Sequence, residues 1–220
     1  MSKRFVKPQT AQEAVLQELR RRIVAGDFPP GTQILQDSLA EEFGVSRVPV
    51  REALRTLEGE GQVSYEPHRG YFVVELNLDE LVEIYRLRDI LEPEAVTKAF
   101  PHQTQEDLDR MQEAMDQMVQ AIEIGDNASM ITGNRRFHFA MFAGCGMPRL
   151  LRMLDHLWNA SDIYRAVYFY DFEKKNLMHN EHLEIFEALK AGDLPRLLEL
   201  LQTHRTHAIP ALRQVIERKI

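Results

Sequence analysis

The sequence predicts a mainly α-helical protein in two parts: a winged helix-turn-helix over residues 1–76 and an all-α bundle of six or seven helices over residues 77–220. Two observations predict this division. Glycines and prolines cluster in the first third of the chain, so only short elements fit between them. Beyond residue 76, apolar side chains recur at helical spacing over long stretches, and no segment has the pattern of a strand.

Three short helices and a hairpin account for the first part. Apolar residues form one stripe of the first helix, and the second helix begins at Asp37 or Ser38 and ends at Gly44. Ser46 is the expected N-cap of the third helix. Two β-prone segments then flank a turn and predict a two-stranded hairpin. The expected ranges are 10–25, 37–44 and 46–58 for the helices, and 62–65 and 71–76 for the strands.

Capping residues and helix breakers divide the second part. The pattern Asn77-x-x-Glu80 is typical of a capping box at a helix start, and Thr104-x-x-Asp107 repeats it. Pro93 falls inside the first of these helices, where it is expected to cause a kink or a break. The expected helices cover residues 77–100, 104–124, 127–144, 148–168, 172–192 and 193–219.

Composition excludes several classes of protein. The single Cys145 excludes an intramolecular disulfide framework and a cysteine-based zinc module, which indicates a reducing compartment. No apolar run approaches the roughly 20 residues that span a bilayer, and no apolar segment follows the basic start as in a signal peptide. We therefore expect a cytoplasmic protein without a membrane partner.

The formal net charge of −7 argues against a nucleic-acid partner only if it is spread over the whole chain. Residues 1–76 contain ten lysines and arginines against eleven acidic residues, and residues 77–220 contain 17 against 23. The first part therefore carries −1 and the second part −6. Because salt screens a charge beyond about 10 Å, a local basic face is sufficient to contact phosphates.

The third helix is predicted to carry such a face. Arg47, Arg51 and Arg55 follow one another at four-residue spacing and therefore share one side of the helix. A solvated helix face offers an alternative interpretation, in which these arginines pair with Glu52 and Glu58.

The run PPGTQILQDSLAEEFGVSRVPVREALRTLEGEGQV, followed by HRGYFV, resembles the DNA-binding domain of the GntR family of bacterial transcription regulators over residues 11–75. The resemblance implies a homodimer that places its recognition helix in the major groove and its wing in the minor groove of a double-stranded palindromic operator. Asp37 departs from the pattern, because some relatives carry a basic DNA contact there. The implied contacts are Ser46, Arg47 and Arg51 on the recognition helix, and Arg69 and Gly70 on the wing.

Four polar residues of the second part are candidates for a metal site. Asn134 and His138 lie four residues apart, on one helix face, and His182 and His204 lie among apolar positions of two later helices. Three neutral imidazoles and an oxygen donor in a bundle interior suit Zn²⁺, Ni²⁺ or Mn²⁺. The alternative is that these histidines are simply packed or exposed. Two further histidines, His179 and His207, lie three residues from a candidate ligand.

The segments IYRLRDILEPEAV, NRRFHFAMF, NEHLEIFEALKAGD and LLQTHRTHA resemble the FCD effector-binding domain of the FadR subfamily of GntR regulators, over most of residues 79–218. Many members of that domain hold a divalent metal with an aspartate, four residues before the first histidine, and three histidines. The corresponding residues here are Asn134, His138, His182 and His204. The uncharged Asn134 amide implies a weaker metal site, or one whose coordination is completed by oxygen atoms of the effector.

Arg88, in the block RLRDILE, occupies the arginine position of that domain and could clamp a carboxylate with two hydrogen bonds. The alternative for Arg88 is a salt bridge to Glu92 or Asp155. Arg165 is a second candidate for effector binding. The resemblance therefore predicts a DNA-binding repressor controlled by a small organic acid bound beside a divalent metal.

Two alternatives to this function stay open from the sequence: a metal-responsive regulator without an organic effector, and a metal-dependent enzyme. The enzyme alternative is weakened because the sequence has no HExxH-type general base.

Overall fold

The computed structural model of the chain describes residues 10–168 and 172–219. The chain divides into two compact units, Met1–Glu75 and Leu76–Ile220. Among the described residues, no helix combines the length and apolar character that a bilayer span requires.

The first unit contains three helices and a three-stranded antiparallel sheet of strand order β1-β3-β2. The two-stranded hairpin predicted from the sequence is therefore incomplete, since β1 pairs with the outer side of β3. β1 has only two residues and shows no alternating pattern, so its pairing depends on tertiary contact. The elements are α1 (Ala11–Ala25), β1 (Gln33–Ile34), α2 (Gln36–Glu42), α3 (Arg47–Gly59), β2 (Val63–Glu66) and β3 (Gly70–Val73).

A side-chain cap marks the start of α1 but not the starts of α2 and α3. Thr10 and Glu13 form a complete capping box at the start of α1. α2 begins at Gln36, slightly before the predicted start, and its N-cap residue Leu35 has no side chain that could cap it. Ser46 occupies the N-cap of α3, as predicted, but its hydroxyl makes no capping hydrogen bond.

Packing of α1 against α3 determines which side of α3 faces solvent. Leu19 of α1 is fully buried, and so are Leu54 and Leu57 of α3. The sheet adds Val63 and Val73, which are directly paired across β2 and β3. Burial of this apolar face leaves the opposite, arginine-bearing face of α3 in solvent.

The second unit is all helical among the described residues. α4 continues through Pro93 as one helix, and Arg205 from α9 bonds to Asp89 and Glu92 in the turn before the proline. Two short 3-10 turns follow α4 and α6. The helices are α4 (Leu78–Ala99), α5 (Gln105–Ile124), α6 (Asn127–Phe142), α7 (Pro148–Tyr168), α8 (Phe172–Lys190) and α9 (Leu194–Lys219).

α5 and α6 approach each other closely at Gly133. A Cβ atom at that position would lie 2.7 Å from Met118 Cγ and 3.1 Å from the Ala114 carbonyl oxygen. Glycine is therefore required for this spacing, and it places the next residue, Asn134, in the interior.

Candidate functional site

The exposed side of α3 carries the predicted recognition residues. The side chains of Arg47, Arg51 and Arg55 are 73 %, 51 % and 61 % exposed. Ser46 is exposed at the start of the same helix, and its uncapped hydroxyl can contact another group. α3 therefore presents hydrogen-bond donors along one solvated face.

The wing turn positions the other predicted contacts. Gly70 has φ 96°, a left-handed conformation that favours glycine, and it ends the turn that carries Arg69. The Arg69 guanidinium lies 4.8 Å from the Phe72 ring centroid. The Gln33 amide donates a hydrogen bond of 2.5 Å to the Arg69 carbonyl, so β1 supports the wing tip.

Recognition helix and wing meet at one concave surface, which we call the arginine notch. It has a volume of about 390 Å³. Its lining includes Arg47, Arg69 and Gly70, so three of the five predicted DNA contacts share one depression, together with Asp37 and Ser38 of α2.

Carboxylates accompany the arginines of this surface. Arg47 forms an ion pair with Asp37, and Arg69 forms one with Glu66. Glu52 lies 3.4 Å from Arg55 and 3.7 Å from Arg51. Part of the solvated-face interpretation is therefore correct, but such exposed pairs are weak and exchange readily for other partners.

Three histidines from three helices converge inside the second unit. One ring nitrogen from each of His138, His182 and His204 lies within 4.8 Å of the others. The Nε2 atoms of His138 and His182 are 3.2 Å apart. His138 and His182 are buried, and His204 is half-buried. The three histidines therefore point into the interior, as predicted. We call His138, His182 and His204 the histidine cluster.

Burial keeps two of these imidazoles neutral. Loss of solvent, followed by repulsion from His182 and His204, holds the pKa of His138 well below its ordinary value. Loss of solvent, followed by electrostatic repulsion from the neighbouring His204 ring, also lowers the pKa of His182. A neutral imidazole has a lone pair on one ring nitrogen, which is the form that binds metals.

Glu181 is a residue of this site that sequence reasoning missed. Its Oε2 lies 2.6 Å from His204 Nδ1, and its Oε1 lies 2.5 Å from His207 Nδ1. Burial raises the pKa of Glu181, but the hydrogen bonds from the two imidazoles outweigh it and lower that pKa. An ionised carboxylate only accepts hydrogen bonds, so His204 Nδ1 is the donor in this contact and its Nε2 is the ring nitrogen left to face the cluster.

Asn134 has the chemistry of a candidate oxygen ligand. Its side chain is buried, one helical turn before His138, and its Oδ1 has no hydrogen-bond partner. An unpaired amide oxygen in the interior is unfavourable unless another group satisfies it. The residues present are therefore chemically suited to a divalent cation: three imidazole nitrogens and one unsatisfied amide oxygen.

Arg88 is paired with Glu92, one of the two partners predicted for a structural role. Arg88 Nε donates to Glu92 Oε1 at 2.7 Å, whereas Asp155 pairs with Arg135. The same Glu92 carboxylate accepts hydrogen bonds from Trp158 Nε1 and Arg205 Nη1. The Arg88 side chain is thus part of a buried ion-pair network that joins α4, α7 and α9.

Two of the three guanidinium nitrogens of Arg165 have no hydrogen-bond acceptor. Its Nη2 donates to Asp162 Oδ1 at 2.6 Å and to the Trp158 carbonyl at 2.7 Å. Its Nε and Nη1 are buried and have no hydrogen-bond partner. Both Arg88 and Arg165 lie 4.1 Å from the Trp158 ring centroid, and the His138 ring lies 4.9 Å from the same centroid. Trp158 therefore joins the arginines to the histidine cluster.

Comparison with known proteins identifies both units. The model of the "Bacterial regulatory proteins, gntR family" matches residues 11–73, and that of the "FCD domain" matches residues 83–207. The HTH-type transcriptional regulator McbR of Escherichia coli is 34 % identical over 181 residues, which cover 80 % of each chain. The regulator YdhC of Bacillus subtilis is 28 % identical and covers 91 % of this chain and 90 % of its own.

Two further comparisons agree. The HTH-type transcriptional repressor GlaR of Escherichia coli is 26 % identical and covers 90 % of this chain and 94 % of its own. The solved structure "E. coli McbR/YncC" has a TM-score of 0.83 and 30 % identity, covering 94 % of this chain and 99 % of that one. These relatives are named as regulators, not enzymes, so the resemblance predicted from the sequence is confirmed. The chain belongs to the GntR family of DNA-binding transcription regulators, with a FadR-type FCD domain.

Proposed function

We propose that this regulator is a cytoplasmic repressor that binds a palindromic operator as a homodimer. In this proposal, a small carboxylate bound beside a divalent metal in the FCD domain lowers operator affinity. The observation that supports it is the convergence of three imidazole nitrogens in the interior of the second unit, where the buried Asn134 also has an amide oxygen without a hydrogen-bond partner. Two binding sites in one chain are what allosteric control requires.

His138, His182 and His204 would hold the metal through imidazole nitrogens, and Asn134 through its amide oxygen. Nitrogen-rich sites of this kind suit Zn²⁺, Ni²⁺ or Mn²⁺. When bound, the ion supplies a Lewis-acidic centre to which a carboxylate oxygen of the effector can bind.

The charge of the site favours an anionic effector. All four proposed ligands are neutral, and the Glu181 carboxylate bonds to His204 Nδ1 instead of the ion, so it would offset the two positive charges only in part. A buried charge without a partner is costly, and an acid that supplies the missing negative charge would be bound strongly. We therefore infer that metal and carboxylate bind cooperatively in this chain, more so than where an aspartate replaces Asn134.

Arg165 is the better supported of the two effector arginines. Its buried Nε and Nη1 donors have no partner, and a bound carboxylate would satisfy both. Arg88 is held by Glu92, so we assign it the supporting role of orienting the Trp158 ring beside the site.

An exposed apolar face supports the homodimer. Leu87 and Ile90 of α4 and Met153 of α7 are 40 %, 55 % and 55 % exposed. The same α4 face carries the exposed Glu83, and α7 carries the exposed Arg152. Monomeric proteins seldom expose an apolar face of this kind.

Ile90→Asp should yield monomers in sedimentation, whereas unchanged dimers would exclude this face.

The test of the proposed function measures operator affinity by fluorescence anisotropy. The operator is a duplex selected by the full-length protein from random DNA. Zn²⁺, Ni²⁺ or Mn²⁺ is added first, and a panel of small mono- and dicarboxylates follows. Release by carboxylate only in the presence of metal supports the proposal. Release by metal alone indicates a metal-responsive regulator, and no response to either overturns both.

The recognition surface is tested in the same assay. Arg51→Ala should abolish operator binding while the protein stays folded and keeps its oligomeric state. Unchanged operator affinity would exclude the proposed role of Arg51 in DNA binding.

A further inference from the structure

Asp37 stands on the recognition surface itself. It lies in the first turn of α2, and its carboxylate forms an ion pair with Arg47, the first residue of α3. The side chains are 63 % and 73 % exposed. Both residues line the arginine notch beside Arg69 and Gly70. A negative charge is therefore placed among donors that would otherwise meet phosphate oxygens.

The Asp37 carboxylate contributes little to the stability of the fold. An ion pair between two largely exposed side chains contributes little to stability. Asp37 is not the N-cap of α2, whose N-cap residue is Leu35. Its placement in the first turn has only a modest, salt-sensitive benefit for the helix dipole. The larger consequence of Asp37 is for any anion that approaches Arg47.

The effect on DNA depends on the kind of contact. Binding to arbitrary DNA rests almost wholly on contacts between cations and phosphates. A carboxylate paired with Arg47 offsets the guanidinium charge and repels phosphate. Contacts to base edges depend less on net charge, because arginine donates hydrogen bonds to guanine O6 and N7, and a carboxylate can accept one from cytosine N4. Asp37 should therefore weaken binding to arbitrary DNA more than binding to the operator.

We propose that Asp37 is a specificity-determining residue. Its pairing with Arg47 suppresses non-specific DNA binding and so increases the ratio of the affinity for the operator to the affinity for competing DNA. Specificity is a difference of affinities, and a repulsive group that acts mainly on the wrong partner increases it. The proposal rests on the assignment of Arg47 to the DNA-binding surface and is independent of the metal and the effector.

The test compares Asp37→Asn with wild type in the full-length protein. Affinities for the selected operator and for a scrambled duplex of equal composition are measured over a range of salt concentrations. The matched control is Asp27→Asn, which removes the same charge from a residue that pairs with Arg21 on α1. Circular dichroism checks that each variant is folded.

Asp37→Asn should bind scrambled DNA about tenfold more tightly at 0.1 M salt, because each regained phosphate contact steepens the salt slope by about 0.9. The operator should gain less, so the specificity ratio falls. The control should leave both affinities unchanged. An unchanged or weaker affinity for scrambled DNA, or an equal gain on both duplexes, overturns the proposal.

Arg47→Gln separates this proposal from the assignment on which it rests. If Arg47 contacts DNA, Arg47→Gln alone weakens operator binding; unchanged affinity rejects that assignment. In the Arg47→Gln background, Asp37→Asn should steepen the salt slope much less than in wild type. A full effect in that background means that Asp37 does not act through Arg47, which overturns the proposal.

Discussion

Replacement of Glu181 by glutamine isolates the contribution of a single carboxylate to the histidine cluster. In the structure, the two oxygens of Glu181 accept hydrogen bonds from His204 Nδ1 at 2.6 Å and His207 Nδ1 at 2.5 Å. A glutamine side chain keeps the shape but has one accepting oxygen and no charge. At least one of the two imidazoles therefore loses its acceptor.

The magnitude follows from the exposure of the two partners. The His207 side chain is 47 % exposed, so water can replace its hydrogen bond, whereas the His204 side chain is only 12 % exposed. Metal affinity should therefore fall mainly because His204 loses its hydrogen-bond acceptor. Loss of such a supporting carboxylate lowers metal affinity about 10–100-fold, or about 1.4–2.7 kcal/mol.

The assay is competition for Zn²⁺ between the metal-free protein and a chromophoric chelator at fixed pH. His207→Gln is the matched control, because it removes the exposed partner alone and should change the affinity only slightly. The reasoning is refuted if Glu181→Gln binds Zn²⁺ as tightly as wild type, or if His207→Gln loses as much affinity as Glu181→Gln.

Three further predictions concern the effector, the packing and the pH dependence. Arg165→Met should abolish the response to carboxylates and leave Zn²⁺ affinity within a few-fold of wild type, and a retained response would reject the assignment. Gly133→Ala should lower the free energy of unfolding by about 1–3 kcal/mol in urea titrations, because its Cβ would lie 2.7 Å from Met118 Cγ; an unchanged midpoint would contradict this. Hydrogen bonds from Arg21 and Arg22 lower the pKa of Glu18 to about 2, against an ordinary 4.5. The contribution of the ionised Glu18 to the free energy of unfolding is therefore full above pH 4.5 and disappears as the pH falls towards 2. Glu18→Gln should flatten the acid side of the stability curve, and an identical curve would count against this pair.

Local signals account for most of the predicted fold. The capping pattern predicted at Thr104 and Asp107 forms a complete box at the start of α5. Thr10 and Glu13 form a second box, where only a helix start was predicted. The strand Gln33–Ile34 escaped prediction because two residues have no periodicity, and its pairing with β3 is a tertiary contact. Pro93 does not interrupt α4, and the tertiary contacts of the preceding turn with Arg205 are not revealed by the sequence around Pro93.

The inward orientation of the candidate ligands was predictable from the sequence, but their hydrogen-bond partners were not. His138 and His182 lie on apolar faces of their helices, so the helical period of the sequence is sufficient to indicate that they point inward. Glu181 gave no such signal, because only the packing of α8 against α9 brings it to His204. Likewise, the pairing of Arg88 with Glu92 was predictable, because the two residues lie one helical turn apart. The unpaired Nε and Nη1 donors of Arg165 were not predictable, because they depend on how distant parts of the chain pack.

The proposed regulation depends on a divalent metal in the histidine cluster. The most direct measurement is the metal content of wild type and His182→Ala after dialysis against Zn²⁺ and removal of free ions, determined by mass spectrometry. The metal assignment predicts one ion per chain in wild type and near-complete loss in His182→Ala, with the variant still able to bind operator DNA. Equal metal content in the two proteins, or none in either, would contradict it.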